Sequence, residues 1–348
     1  MKVLYALQAT GNGHVSRANV LIPELRKYCT VDVLISGTQS DLALQVEPRY
    51  RLKGFSLATN RSGGVSYRKT LKLFHPLRFH REMRSIDLDA YDAVVNDFEP
   101  VSAWACRLSG KPCIALSHQY SLTQQGVPLP EKASWFFMQI LKYYAPCNSG
   151  IGFHFESYNS NILRPIIRES LRASTPVHGG HYSVYLPAYG HKHIADCLTH
   201  AGNLRWQIFS KEVKQVYTSG NCTFLPVVSE LFTKSLLSCD GIICGAGFET
   251  PAEALFLGKK LLVIPMTGQY EQECNAAALA ALGHTVLPRL ETKYIPRIAA
   301  WTMQAPQPPV RFETHYPLLW NRLDELMKQQ CTTSLKKTTA QDYAVVQV

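Results

Sequence analysis

The chain predicts an α/β protein: two doubly wound, Rossmann-like parallel sheets facing a cleft. Short apolar runs alternate with helix-length stretches from end to end, the order that builds parallel sheets through crossover helices. At 348 residues it is too long for one typical core and suits two domains of about 150–170 residues. Each half also places a glycine turn directly after an apolar strand and before a helix, where a doubly wound sheet keeps its ligands.

Taken in order, the first half predicts strands near 2–8, 31–36, 52–57, 92–96, 112–117 and 149–154. Helices are expected near 15–27, 38–45, 66–85, 99–109 and 132–144. The stretch 172–180, with Ser, Thr, Pro and two glycines, breaks both periods and reads as a linker. Beyond it, strands are expected near 182–187, 204–209, 222–225, 241–244, 260–265 and 285–287. The matching helices fall near 191–200, 212–216, 229–237, 250–257, 270–281, 292–303 and 311–330. Residues 331–348 are polar without a period and read as a loose tail. The expected division is therefore 1–171, a linker at 172–180, 181–330, and the tail. No internal repeat is visible, although the halves share one architecture.

Composition narrows the function classes. An apolar content of 46% excludes a largely disordered chain. No run approaches the ~20 apolar residues of a membrane span, and no signal peptide is recognised, so the cytoplasm is the expected compartment. Ten cysteines are scattered without a CxxC pair, which reads as ordinary thiols of a reducing compartment, with no metal expected. The net charge of +10 is concentrated. Residues 61–84 carry Arg61, Arg68, Lys69, Lys72, Arg78, Arg81 and Arg84 against Glu82 alone, interleaved with Leu71, Leu73, Phe74, Leu77 and Phe79. Such a segment suits an anionic membrane surface or an anionic acceptor. The plainer reading is a solvated helix face beside a cleft. No nucleic-acid module accompanies the charge, so nucleic acid is not an expected partner.

The most telling stretch is 240–275. An apolar strand runs into Gly245-Ala246-Gly247-Phe248, and a helix follows with Thr250-Pro251 at its start and Glu253 in its first turn. Glycines let backbone N–H groups approach an anion, and a helix start adds free donors and a partial positive charge. A carboxylate just beyond suits the vicinal hydroxyls of a ribose. The loop after the next strand offers Gln269, Glu271 and Gln272 to a sugar. The segment reads as a nucleotide-sugar pocket. Each residue also has a plain reading: Glu253 as a first-turn acid, the glycines as turn glycines, Thr250 as a cap, and Asn275 as packing within its own domain.

In the first half, Gly11 and Gly13 precede His14 at a strand's carboxyl end. An imidazole titrates near neutrality in water and can take a proton from an attacking hydroxyl. Base, anion holder and structural residue all stand open for His14. Asp97 either caps the next helix or orients His14, or is itself the base. Glu99, His118 and Gln119 follow strands at the same edge and are acceptor-side candidates. Gly11-x-Gly13-x-x-Ser16 also prompts a dinucleotide reading, but the second strand ends without the acid that fingerprint needs.

Together these motifs resemble GT-B glycosyltransferases, closest to the MurG-like and UDP-glucuronosyltransferase-like groups. The family's G-x-x-T/S-x-x-E segment matches Gly247, Thr250 and Glu253. Its P-x(4–5)-D/E-Q-x-x-N segment matches Pro265, Glu271, Gln272 and Asn275. The stretch GNGHVSR (Gly11 to Arg17) is similar to the acceptor-side glycine loop, while Asn96 to Pro100 and Ser117 to Gln119 resemble a bacterial subgroup. The likeness spans roughly residues 1–330. It implies a UDP-sugar co-substrate in the second domain and an acceptor hydroxyl entering from the first; the basic arm suits a lipid-linked or anionic acceptor, and lipid-linked saccharide, polysaccharide and small metabolite all stand open. It further implies inverting transfer without a metal or cofactor, at the inner face of the membrane if the basic stretch docks there. The chain departs from the family at Gly245, where relatives carry His or Arg, at Glu249, where the plant type has Asn, and at 187–190, where MurG-like enzymes have a glycine-serine loop. A cation for the diphosphate must come from elsewhere, and Arg168 matches a linker Arg that reaches the donor. A nucleotide-sugar epimerase on the same fold, or a non-catalytic sugar-nucleotide binder, are the rival readings.

Overall fold

Two seven-stranded sheets are found among the described residues, alike in order except that the second adds an edge hairpin, residues 217–226, where the first has a single edge strand. The computed structural model describes residues 1–345 except Thr10, 38–39, Asp41, 56–73, Ala133 and 313–315, and only the backbone of 331–345. The first sheet contains β1 (Lys2–Gln8), β2 (Thr30–Ser36), β3 (Tyr50–Leu52), β4 (Ala93–Asp97), β5 (Cys113–Ser117), β6 (Ser149–Phe153) and β7 (Ile162–Leu163). They lie in the order β3-β2-β1-β4-β5-β6-β7 and pair in parallel. The second holds β8 (His181–Tyr185), β9 (Arg205–Ser210), β10 (Tyr217–Ser219), β11 (Cys222–Pro226), β12 (Gly241–Gly245), β13 (Lys260–Ile264) and β14 (Thr285–Val286). Its order is β10-β11-β9-β8-β12-β13-β14, with only the β10 edge antiparallel.

Helices cover both faces. In the first half these are α1 (Asn12–Leu25), α2 (Pro76–Arg84), α3 (Pro100–Ser109), α4 (His118–Ser121), α5 (Trp135–Tyr144) and α6 (Glu169–Arg172). The second half has α7 (His191–Leu198), α8 (Ser229–Ser238), α9 (Glu249–Phe256), α10 (Tyr270–Ala281), α11 (Ile295–Thr302) and α12 (Tyr316–Val345). Strands β1, β4, β5 and β12 are near-continuous apolar runs because both of their faces are covered.

Several expectations are corrected. Residues 42–45 are irregular rather than helical, because side chains intercept their backbone donors: Leu42 N–H reaches Asn12 Oδ1 and Ser40 Oγ, and Gln45 N–H reaches Asn19 Oδ1. The five residues expected as a helix at 212–216 are largely irregular, too short to offset helix nucleation. Of the helix expected at 66–85, the described part is α2. Arg61, Arg68, Lys69 and Lys72 lie outside the described residues. The stretch 331–345, read as a loose tail, continues α12, which meets neither Gly nor Pro after Pro317. Nor does this helix stay with the second domain. Leu319, Leu323 and Met327 are buried in a cluster with Val31, Leu116 and Ile151 of the first sheet, and Trp320 stacks on Tyr28 at 5.1 Å.

The second half of the linker is strapped to the second domain. Val177 and Gly179 N–H groups donate to Leu237 and Ser238 carbonyls, while the buried Lys259 ammonium donates to the carbonyls of Val177, Leu237 and Cys239. Where the chain leaves the first domain, Arg172 Nη2 donates to the carbonyl of Phe312, just before the chain returns to it.

Candidate active site between the domains

In each sheet the strand order reverses direction at one place, between β1 and β4 and between β8 and β12. Loops leaving such a pair diverge and open a crevice at the carboxyl ends. Both glycine turns leave from these places, after β1 and after β12.

On the first side, β4 ends at Asp97, in register with Leu7 of β1. The chain then turns through Phe98 at φ 57°, a region bulky residues rarely occupy, with its ring stacked on Tyr144. His14 and Arg17, one turn apart on α1, converge on Asp97. His14 Nδ1 lies 2.9 Å from Asp97 Oδ1, and Arg17 donates from Nε (3.0 Å) and Nη2 (2.8 Å) to its two oxygens. Burial alone would raise the Asp97 carboxyl, but Arg17 and His14 outweigh it and hold it below the usual carboxylate range. An ionised Asp97 accepts, so the imidazole tautomer that suits it carries its proton on Nδ1 and leaves Nε2 with a lone pair. Gln119 Nε2 lies 3.5 Å from that Nε2 and donates to Glu271 Oε2 of the other domain at 3.1 Å.

Glu99 is corrected. It is fully buried and caps α3, accepting from the Val101 and Ser102 N–H groups and the Ser102 hydroxyl. Strand β4 extends through Asp97, so the cap falls two residues later, with Pro100 at the first helical position. Glu99→Ala should therefore lower stability by about 1–2 kcal/mol in denaturant unfolding, while turnover per folded molecule stays unchanged.

His118 is likewise not exposed to a ligand. Its ring nitrogens rest against the Phe153 carbonyl (2.8 Å) and Asn275 Oδ1 (2.7 Å). Phe248, expected beside the donor, stacks on that ring at 4.0 Å. Asn275 also donates to the Ala246 carbonyl, so it packs within its own domain as expected and, through His118, joins the two domains as well. His118, Phe248 and Asn275 are all buried in these contacts.

On the second side, α9 begins at Glu249, with Phe248 at the N-cap position and no side-chain cap. Thr250 lies inside the first turn and does not cap it. Glu253 is buried, and Arg168 donates to both its oxygens, from Nε at 2.7 Å and Nη2 at 3.2 Å. Arg168, expected at a diphosphate, is thus held on the acid expected at the ribose, because a partly buried cation this close to a buried carboxylate satisfies it. Burial raises the Glu253 carboxyl against the pull of Arg168. Each carboxylate oxygen keeps a further lone pair for a hydroxyl donor. Gln272 Oε1 accepts from the Met266 N–H, and Gln269 stands at the N-cap position of α10. Gly11 takes the matching position on α1.

Two residues not chosen from the sequence complete the site. Arg17 Nη1 donates to Glu249 Oε1 at 2.6 Å across the crevice. Burial pushes the Glu249 carboxyl up to about 7, against the pull of Arg17 and with Glu253 and Asp97 adding to the rise. The available signal was that Arg17 lies three residues after His14, on the same helix face. Two cavities lie apart from this network and are lined by none of its residues: one of about 390 Å³ beside β7 and the start of α12, and one of about 260 Å³ at the ends of β4 and β5. Among the described residues no group of His, Cys, Asp and Glu converges as a metal site.

A model of glycosyl transferase family 1 matches residues 1–296. No curated protein matches the sequence. Solved structures similar to this chain include MurG of Acinetobacter baumannii, at 17% identity and a TM-score of 0.53, covering 87% of this chain and 91% of that one. A UDP-glucosyltransferase from Polygonum tinctorium, in complex with 3,4-dichloroaniline, reaches 15% and 0.59, covering 94% and 93%. LpCGTa in complex with UDP gives 14% and 0.56, covering 87% and 90%. At such identities the likeness is one of fold, the GT-B pairing of two Rossmann-like domains.

Proposed function

Since this chain belongs to glycosyl transferase family 1 and is a GT-B glycosyltransferase, we propose that it moves a sugar from a UDP-linked donor to an acceptor hydroxyl, with inversion. The observation that carries this reading is the buried His14–Asp97 pair facing the donor-side loop. His14 Nε2 takes the proton of the acceptor hydroxyl, and Asp97 stabilises the imidazolium that forms. The hydroxyl oxygen bonds to the anomeric carbon. The bond from that carbon to the β-phosphate oxygen breaks on the opposite side, and the electron pair leaves with UDP. Backbone N–H groups at Gly245–Thr250 and the start of α9 meet the phosphates, and Glu253 takes the ribose hydroxyls. Glu271, Gln272 and Gln269 face the transferred sugar, with Gln119 reaching the same carboxylate from the acceptor side. In this reading the leaving charge falls on a helix start and an arginine rather than on a divalent ion, and no cofactor takes part.

The structural neighbour solved with UDP supports a uridine donor. The acceptor is read as lipid-linked or anionic, and the protein as cytoplasmic, touching the inner membrane face through 61–84. Arg81 and Arg84 of α2 are exposed there, beside Leu77 at 82% exposure. Among the described residues no helix is long and apolar enough to cross a membrane. A thermal-shift panel of UDP-, GDP- and dTDP-sugars tests the donor: the uridine series should raise the melting temperature most. If every nucleotide leaves it unmoved, the donor reading is wrong.

A further inference from the structure

The starts of α1 and α9 face each other across the crevice, and a protein carboxylate stands between them. A Cβ on Gly13, in the first turn of α1, would lie 3.1 Å from Glu249 Cγ and 3.8 Å from Glu249 Oε1. Glu249 itself opens α9, and neither helix start has a side-chain cap. The first turns of two helices and the Arg17 guanidinium therefore direct positive potential at one small volume. That volume is built for an anion, and Glu249 supplies one from within the chain. It is held at a cost, since burial works against its charge even beside Arg17.

On the donor side the two positions expected to supply a cation are committed or empty. Arg168 gives Nε and Nη2 to Glu253, and Gly245 has no side chain. Arg17 is differently placed. Its Nε and Nη2 are fixed on Asp97, while Nη1 alone reaches across the crevice. That nitrogen can change partner without disturbing the orientation of the guanidinium.

We propose that Arg17 is the cation that meets the donor's diphosphate, and that Glu249 is an internal stand-in which the phosphate displaces from Arg17 Nη1. The inference rests on the donor reading above and deepens it. When the anomeric carbon–oxygen bond breaks, the charge gained by the β-phosphate is met by the guanidinium that also fixes Asp97 and, through it, His14. One side chain of the acceptor domain thereby joins the proton-accepting and charge-receiving ends of the reaction. A catalytic arginine supplied across the crevice also makes productive donor binding depend on domain closure.

The test is calorimetric titration with UDP, GDP and dTDP, each beside its parent nucleoside. Glu249→Gln removes the competing charge while keeping the shape, and should bind the preferred diphosphate about tenfold tighter with nucleoside affinity unchanged. Arg17→Lys should weaken the diphosphate by about tenfold and again leave the nucleoside unchanged. In the double variant the gain from Glu249→Gln should be largely lost, since that gain acts through the guanidinium. Glu249→Gln sits at the crevice rather than in the core, so this arm does not depend on a fragile fold. Diphosphate affinity that is unchanged or weaker in Glu249→Gln overturns the proposal, as does a gain that persists in full with Arg17→Lys. If the wild-type protein binds no nucleotide or nucleoside, the donor reading falls first and takes this inference with it.

Discussion

His14→Ala should lower turnover by about 10²–10⁴-fold, followed as UDP release, while UDP affinity remains that of the wild type. The expectation comes from the geometry around the imidazole. Its Nδ1 is engaged by a carboxylate that Arg17 holds charged, which leaves Nε2 as the proton acceptor. Truncation takes away that acceptor but leaves the Arg17–Asp97 pair intact, so the fold should survive. Asp97→Asn should give a similar loss by a different route, because an amide no longer favours the Nδ1–H tautomer. A His14→Ala enzyme as fast as the wild type would assign proton transfer to another group, with Asp97 the next to examine.

Glu253→Ala carries the second large effect, and it acts on two quantities at once. Removing the acid leaves Arg168 without its partner in a water-poor setting, which should destabilise the fold by about 3–5 kcal/mol. It should also weaken UDP by about tenfold, through the lost ribose contact. The two effects separate in the double variant Arg168→Ala/Glu253→Ala. Stability should return in large part once neither charge is stranded, whereas UDP affinity should stay low. If calorimetry finds wild-type affinity in either variant, Glu253 holds the structure together and takes no part in the pocket.

Much of this architecture could be read from the residues. Strands β1, β4, β5, β12 and β13 announce themselves as apolar runs, since parallel strands buried on both faces have no polar alternation to blur them. The glycine turns followed from those strands, because a turn at the carboxyl end of a central strand must face the crevice. Edge strands β7 and β10, of two and three residues, are too short to show a period. The pairing of side chains was far less legible. Arg17 meets Glu249 across 232 positions, His118 meets Asn275 across 157, and Arg168 meets Glu253 across 85. Periodicity reports which face of its own element a residue occupies and carries no information about what stands opposite in another domain. For that reason Arg168 and Glu253 were each expected at a ligand and found on one another. Asp97 and Glu99 could be exchanged as cap and site residue for a local reason: only the point where β4 stops decides between them.

The polypeptide passes between its two halves twice, once at Arg172 and again between α11 and α12, and the guanidinium of Arg172 binds the carbonyl of Phe312 where those passages lie side by side. A body held by one thread can swing in any direction, but one held at two neighbouring pins can turn only about the line through them. With Lys259 clasping residue 177, the yielding portion contracts to the few positions before it. The jaws should therefore open and shut along a single arc, returning Nη1 of Arg17 to the same spot on every stroke.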